Sequence, residues 1–439
     1  LNRIGVPDLD VSGFLRSSGN TVWWAGRDER VEQFAAGQFG YQVERPAFDA
    51  FLSREVAGAG AVVRTANVTR VELGQPTTIA CEQDGESATL LASWVLDCTG
   101  RSGIIARAGW RRAEPAARTT AIVGVWERDD AWPTADPSHT IVESGEEGWA
   151  WSVPVSSRRR YVTLMIDPTR TPLASRAGLL QAYIDQLART RSLAPLVKGA
   201  RLLPPVFARE ASPYSADIFA RPGVLLVGDA GTFVDPLSSF GIKKALASAW
   251  LASVVVHSVV ENPAIVDSAL SLFNRREAAM YDSLRRSAAG LARDASAAHS
   301  TSFWEARASA AGDPGLAVEP DVGALRTDPA VLRAFEQLRS SEDRLRLRQT
   351  AVLRRVPQPT VRGNRVSLED HLVVPAFPDG IRYVRNVDLV LLSELAPAHQ
   401  QVPQLFDAYN RSAPAVPLPD FLGALSLLIG KGIVEQDPA

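Results

Sequence analysis

The sequence predicts an α/β chain, α+β overall. An open, mostly parallel sheet domain is split by an inserted antiparallel sheet and followed by a small winged-helix-like module. Three observations carry this reading. Short apolar runs alternate with helical patterns up to about Thr120. Residues 120–166 then hold four β-branched or aromatic runs broken by Pro, Gly, Asp and Arg. A buried-strand pattern, Val224-Leu225-Leu226-Val227, returns before a Gly-Asp turn and a long helix. Alternating strands and helices call for a parallel sheet with crossovers, and consecutive strands for a separate antiparallel layer.

Taken in order, residues 42–57 read as a helix. Pro46 stands where a missing N–H costs little, and Phe48, Phe51, Leu52, Glu55 and Val56 follow at helical spacing. Residues 61–63, 68–73 and 93–97 read as strands, the last closed by Asp97, Thr99 and Gly100. Residues 120–127, 139–143, 149–155 and 161–166 form the strand-rich insert. A helix at 176–191 follows, apolar at Leu179, Leu180, Tyr183, Ile184 and Leu187. Residues 272–307 are helical, and 308–320, rich in Ala, Gly and Pro, form a linker. In the last part, Asp420 is placed to cap a helix with Phe421, Leu422, Leu425, Leu428 and Ile429 on one face. The resulting domains are 1–118 and 211–307 (one divided domain), 119–210 (the β-rich insert), 308–355 (linker and helical) and 356–439 (the C-terminal module).

Composition narrows the function. The 439 residues carry 47 Lys+Arg against 49 Asp+Glu, so no basic field exists for nucleic acid. Two cysteines, Cys81 and Cys98, are too few for a disulfide scaffold or a cysteine metal site. The five histidines lack ligand spacing, so no metal site is expected. The longest near-apolar stretch, 245–256, falls short of the ~20 residues that span a bilayer. No membrane is expected, and the cytoplasm is the expected location.

The chemistry concentrates in Gly228-Asp229-Ala230-Gly231-Thr232-Phe233-Val234-Asp235-Pro236-Leu237-Ser238-Ser239-Phe240-Gly241. A buried strand ending in Gly-Asp sets a carboxylate at the carboxyl edge of a sheet, where open α/β folds bind ligands. Such a carboxylate accepts hydrogen bonds from sugar or ribityl hydroxyls. The glycine-bearing loop admits a planar ring, and the helix after Gly241 aims its free N–H groups and positive dipole end at the loop. Lys243 and Lys244 sit in that helix's first turn, a poor dipole position. An anionic ligand accounts for one of them; solvation accounts equally well for both. Trp149 and Trp151 alternate by two and share one strand face, which is core or pocket wall with equal weight.

This run resembles the flavin-contacting motif of single-component FAD monooxygenases and their flavin-dependent halogenase relatives. Three more segments agree in order. Val43-Glu44-Arg45-Pro46-Ala47-Phe48-Asp49 resembles the group's Arg-x-x-Phe-Asp helix start near the FAD diphosphate. Asp97-Cys98-Thr99-Gly100-Arg101-Ser102-Gly103 resembles its Asp-Gly motif, and Trp149-Ala150-Trp151-Ser152-Val153-Pro154 the halogenases' Trp-x-Trp-x-Ile-Pro. The resemblance covers roughly residues 1–307. It implies a Rossmann-like FAD-binding domain, with FAD as cofactor held by Arg45, Asp97, Gly100, Arg101, Gly228, Asp229, Gly241 and Ile242. It places Pro236, Ser239 and Phe240 on the flavin-face loop, and Trp149, Trp151, Phe233 and Phe240 around the substrate.

The departures favour oxygen transfer over halogenation. Tryptophan halogenases carry a lysine between flavin and substrate, and residues 18–22, aligned there, hold none. Ser238 stands where their loop has a glutamate, and bulky Phe240 where it has a small residue. The resemblance thus implies a monooxygenase working through a flavin C4a-hydroperoxide on an electron-rich, indole-like ring. The substrate is a small molecule or a tryptophan borne on a peptide or protein, as in peptidyl-tryptophan hydroxylases that build quinone cofactors. A C-terminal module able to hold an extended peptide by strand addition points to the latter. NAD(P)H or a flavin reductase is the expected electron donor. A halogenase and a geranylgeranyl-reductase-like saturase are the alternatives. Residue 1 is Leu, and the family's opening Gly-x-Gly-x-x-Gly turn is absent. The expectation is that a first βαβ unit of ~30 residues or more is missing from the chain, and that these residues alone bind FAD poorly.

Overall fold

The computed structural model describes residues 6, 9, 13–114, 118–171, 175–309, 327–340 and 345–436. The described residues divide into two compact units. The first holds residues up to Phe219, then 223–247 and 280–313; the second holds 220–222, 248–279 and the remainder.

In the first unit, β1 (Leu15–Ser17) pairs with β4 (Gly40–Gln42). Helix α1 (Arg45–Gly58) begins with a proline in its first turn, as the sequence predicts, and buries Phe48 and Phe51. A three-stranded antiparallel meander follows: β5 (Asn67–Glu72), β6 (Thr77–Gln83) and β7 (Glu86–Ala92). The strand expected at 61–63 does not form. Val62 and Val63 are exposed, and β-branched residues without a face to bury gain nothing from a sheet. The meander was itself missed in part, because its antiparallel strands break the expected parallel alternation.

The dominant element is a seven-stranded sheet, ordered β14-β10-β13-β12-β11-β2-β3. Its strands are β2 (Gly19–Trp23), β3 (Arg30–Gln33), β10 (Thr120–Glu127), β11 (Thr140–Gly145), β12 (Gly148–Pro154), β13 (Arg159–Ile166) and β14 (Arg201–Glu210). All pairs are antiparallel except β11 with β2. The sheet expected from residues 119–210 therefore also takes β2 and β3 from the stretch read as FAD-binding. Its two faces alternate as the pleat requires. One buries Ile122, Ile141, Ala150, Val162, Leu164 and Ile166 against Tyr183 and Leu187 of α2 (Arg176–Ala188) and Leu193 and Leu196 of α3 (Leu193–Val197). The other carries Val22, Ala121, Trp149 and Met165.

The expected parallel pairing is made by β8 (Val95–Asp97) and β17 (Val224–Leu226), with Leu96 opposite Leu225 and Asp97 opposite Leu226. Three short strands complete this region: β9 (Arg111–Ala113), β15 (Tyr214–Ala216) and β18 (Thr232–Phe233), ordered β18-β15-β9. Helix α4 (Gly241–Glu261) starts beyond the loop. The helix expected over 272–307 is two, α5 (Val266–His299) and α6 (Ser302–Ser309), broken where Ser300 takes φ 43°.

In the second unit, β16 (Ala220–Arg221) is fixed by Asn274, which donates to Ala220 O and accepts from its N–H, each at 3.0 Å. Helix α7 (Pro329–Ser340) packs on α10 (Leu418–Gly430). Strand β19 (Leu347–Gln349) pairs with β25 (Val434–Gln436). An antiparallel sheet of β20 (Arg354–Arg362), β21 (Arg365–Val374) and β22 (Phe377–Ile381) precedes a small hairpin, β23 (Tyr383–Val384) and β24 (Val387–Asp388). Helices α8 (Leu389–Leu395) and α9 (Val402–Ser412) then join α10 around Leu389, Leu392, Leu405, Tyr409, Phe421, Leu425 and Leu428. Asp420 lies within the first turn of α10, where it pairs with Arg385; the cap position is Pro417. The strand Ser258 Oγ touches is β21: it accepts from Val366 N–H at 2.8 Å, so the module shares its unit with part of α4.

By length and composition α4 could cross a bilayer, being longer than the stretch read from the sequence. Its apolar residues Leu251, Ala252, Val254, Val255 and Val259 are buried in the protein. Residues 310–320 of the expected linker lie outside the described residues.

Candidate cofactor and substrate site

The parallel pair β8 and β17 ends in two turns side by side, Gly100–Ser102 and Gly228–Ala230. Both begin on a glycine with positive φ, 63° at Gly100 and 60° at Gly228. At Gly228 a side chain is excluded twice, by the left-handed backbone and by Ala245 Cβ at 3.2 Å from where a Cβ would stand. Arg111 staples the turns together, donating to Arg101 O at 2.8 Å and Ala230 O at 3.3 Å. Tyr214 OH adds a bond to Asp229 O at 2.5 Å. Burial pushes the Tyr214 hydroxyl up to about 12, against the pull of Arg111 and Arg101, so it stays a donor.

Asp97, expected at the cofactor, is held by its own loop. Its carboxylate is buried and fully engaged by its own loop: Oδ1 accepts from Thr99 N–H at 3.0 Å and Thr99 Oγ1 at 2.6 Å, and Oδ2 from Ile105 N–H at 3.1 Å. Asp97 shapes the turn that presents Gly100 and Arg101 instead of offering a carboxylate to a ligand. Arg101 lies over the Phe233 ring at 4.0 Å and over Tyr214 at 5.1 Å, and is ion-paired to Glu210.

Asp229, by contrast, is partly open at the sheet edge. Its Oδ1 meets the Lys244 ammonium at 3.0 Å, with a third of the Asp229 side chain exposed. Lys244 is buried and also donates to Thr232 O and, at 2.9 Å, to Thr232 Oγ1. Of the two readings of the lysine pair, neither holds for Lys244, whose charge is answered inside the protein. Lys243 is exposed, 4.9 Å above the Phe240 ring.

The loop between is built on Asp235. Its Oδ1 accepts from Leu237 N–H at 3.1 Å, capping the turn Pro236–Ser238. Asp235 is buried, and desolvation holds its carboxyl above the usual range despite Arg307 nearby. Arg307 reaches Asp235 Oδ2 at 3.9 Å and donates to Phe303 O at 2.8 Å and Arg118 O at 3.0 Å. Ser239 ends the turn at φ 52°, and Ser239, Phe240, Gly241 and Ile242 form an exposed lip at the start of α4.

Trp149 and Trp151 stack at 4.7 Å and 26°. They share a cluster with Phe233, Leu237, Trp24, Phe303 and Trp304, so the sheet face and the loop meet through aromatic rings. Phe240, expected at the substrate wall, is exposed on the lip beneath Lys243. Trp149 Nε1 is buried with no hydrogen-bond partner among the described residues. Trp149 also lines a cavity of about 490 Å³ with Ala150, Leu164, Met165, Ile166 and His299, rimmed by Glu146, Glu147, Arg189 and Arg191. That volume is within the range of small-molecule sites. A second cavity, beside Val234, Asp235 and Leu237, is about 30 Å³, enough for a water-sized species only.

Arg45 stands exposed at the start of α1, its ion pair being with Asp49 at 3.3 Å. No bond joins it to the two turns among the described residues.

A family model described as tryptophan halogenase matches residues 24–341. The chain belongs to the tryptophan halogenase family. It is 27% identical over 281 residues to the tryptophan 2-halogenase of Chondromyces crocatus, covering 61% of this chain and 53% of that protein. It is 30% identical over 256 residues to the putative FAD-dependent oxidoreductase LodB of Marinomonas mediterranea, covering 56% and 67%. The chain thus spans about half the length of the curated halogenase. In fold it is similar to the flavin-dependent halogenase CmlS (TM-score 0.76, 21% identity, 99% of this chain and 86% of that one). It is also similar to QhpG, a peptidyl tryptophan dihydroxylase essential for tryptophylquinone cofactor biogenesis (TM-score 0.64, 21% identity, 94% and 84%).

Relatives are named flavin-dependent halogenases and a putative FAD-dependent oxidoreductase, and FAD is the cofactor of this family. The chain's own residues fit the cofactor. A Cβ on Gly100 or Gly241 would meet nothing within 4 Å, so both positions leave open surface, at Gly241 between the exposed apolar Phe240 and Ile242. Such a lip suits a flat ring, and the first N–H groups of α4 lack intrahelical acceptors. Sequence reasoning missed Arg111, Tyr214, Arg307 and Trp304. No motif spacing marks them: Arg111 and Tyr214 return to the turns from 10 and 15 residues away, and Arg307 and Trp304 come from far along the chain.

Proposed function

We propose that the protein is a monooxygenase that hydroxylates an electron-rich, indole-like ring, with a tryptophan side chain of a peptide or protein as its substrate. The observation that carries this reading is the fate of the lysines. The chain has four, Lys198, Lys243, Lys244 and Lys431. Lys431 is paired with Asp328, Lys244 is fully occupied, and Lys243 is exposed over Phe240. Among the described residues the cation over the Phe233 ring of the Trp149–Trp151–Phe233 cluster is Arg101, whereas a halogenating enzyme would need an ammonium there. The fold shared with a peptidyl tryptophan dihydroxylase agrees.

Bound FAD supplies the electrons and the activation of oxygen. Asp229 would accept a hydrogen bond from the ribityl chain, and Gly100, Arg101 and Gly228 would line its path. The N–H groups of Gly241 and Ile242 would face the electron-rich edge of the ring. Pro236, Ser239 and Phe240 would border it. Trp149, Trp151 and Phe233 form the dry aromatic wall that holds an indole and keeps water out. Arg101 fixes the Phe233 ring from above. Arg45 would serve the diphosphate once released from Asp49. Electrons would come from NAD(P)H or a flavin reductase, in the cytoplasm, where the free Cys81 and Cys98 stay reduced.

Halogenation is the second reading, favoured by the matching family model. One experiment separates them. The flavin-loaded enzyme, reductant and oxygen are given a tryptophan-bearing protein with and without bromide, and products are weighed. A gain of one or two oxygen atoms, independent of bromide, is expected. A brominated product would replace hydroxylation by halogenation, and turnover without oxygen would point to a saturase.

A further inference from the structure

We propose that Lys244 is a positioning residue that sets the Asp229 carboxylate for FAD; this rests on the reading of Asp229 as a cofactor contact. The argument starts from cost. An ammonium in the first turn of a helix opposes the helix dipole, and burying it adds a desolvation penalty. Lys244 bears both, being 2% exposed in the first turn of α4. Its three N–H bonds are matched by three acceptors, Thr232 O, Thr232 Oγ1 and Asp229 Oδ1. A buried ion pair of this kind is weak support for stability, since an apolar pair of similar volume often does as well. What the pair does supply is geometry. Asp229 follows Gly228, whose φ of 60° aims the turn, and Lys244 holds one carboxylate oxygen from the protein side. The Asp229 side chain remains a third exposed at the strand end, where a ribityl hydroxyl would arrive. Lys244 therefore shows its amine to Asp229 and Thr232, not to substrate, and acts on the cofactor only through Asp229.

The test is a double-mutant cycle on the full chain, with FAD affinity read by flavin fluorescence quenching and the midpoint potential of the bound flavin as a second readout. The proteins are wild type, K244M, D229N and D229N/K244M. Each single variant is expected to bind FAD about tenfold more weakly, the scale of losing a charged hydrogen bond. The double variant should bind no more weakly than D229N, because Lys244 has nothing to position once the carboxylate is gone. K244M binding like wild type while D229N is weakened would overturn the proposal and leave the site reading intact. Multiplied effects in the double variant would also overturn it, since Lys244 would then act independently. Wild-type affinity in D229N would defeat the reading of Asp229, and the proposal with it. If K244M does not fold, T232V, which strips one acceptor from the ammonium, replaces it. FAD binding weakened about threefold supports the proposal, and unchanged binding overturns it.

Discussion

Tryptophans in the aromatic cluster differ in what their indole N–H groups do. Trp304 is fully buried and donates to Gly145 O at 2.8 Å, whereas Trp149 Nε1 has no partner among the described residues. W304F therefore loses a buried hydrogen bond and leaves a cavity, and should cost about 2–4 kcal/mol in urea unfolding. W149F loses no bond and should stay within about 1 kcal/mol of wild type. If Trp149 lines the substrate wall, W149F should nevertheless raise KM, separating a binding role from a structural one. His299, next to this cluster, accepts or donates at Ser144 Oγ (3.1 Å) and stacks on Trp304. Burial holds its pKa below 6.5, with Glu146 pulling the other way. The unfolded chain then takes a proton more readily than the folded one. The stability His299 contributes is full above about pH 6.5 and is lost as pH falls through its depressed folded value. H299Q should flatten that acid-side decline in the denaturation midpoint; an identical slope in both proteins would refute it.

Elements place these residues where no sequence neighbour could. The strand-to-turn step at Gly228 combines a left-handed backbone with close approach of α4. G228A should cost about 1–3 kcal/mol and lower FAD affinity as well, measured by thermal unfolding and flavin quenching. The Gly-Asp turn, its following loop and the helix start at Gly241 were legible in the sequence because backbone demands there allow few residue types. The strand at 61–63 was misread for the opposite reason. Its β-branched residues satisfy a local preference but have no partner, and propensity without burial does not make a strand. Asp97 was legible as a site residue but not in its role, since only the folded loop brings Thr99 and Ile105 to its two oxygens.

Across the whole molecule, each of the two units has its own core. In the second, Phe421 is fully buried against Phe406 and Tyr409. F421A should destabilise that unit by about 3–5 kcal/mol in chemical denaturation. The visible spectrum of bound flavin should be unchanged in the folded protein, because every residue assigned to the cofactor lies in the first unit. A shifted spectrum would show that the C-terminal part acts on the flavin. The module was legible as strands plus amphipathic helices. Its sharing of a unit with part of α4 was not, because Ser258 and Val366 are 108 residues apart.

The sequence by itself determined the family of this protein and the residue types at its candidate site. Four ordered motifs, a glycine-aspartate turn on a buried strand and four lysines are properties of residue type and spacing, and they survive without coordinates. Only the tertiary structure decided which charges are available. Lys243 and Lys244 are adjacent and identical in sequence, yet one is exposed and the other buried on Asp229 and Thr232. It likewise decided that Trp149 and Trp151 share a buried cluster with Phe233 while Phe240 is exposed on the lip. The physical reason is common to both: helix and pleat fix which way neighbouring side chains point, but what lies in that direction is supplied by distant chain.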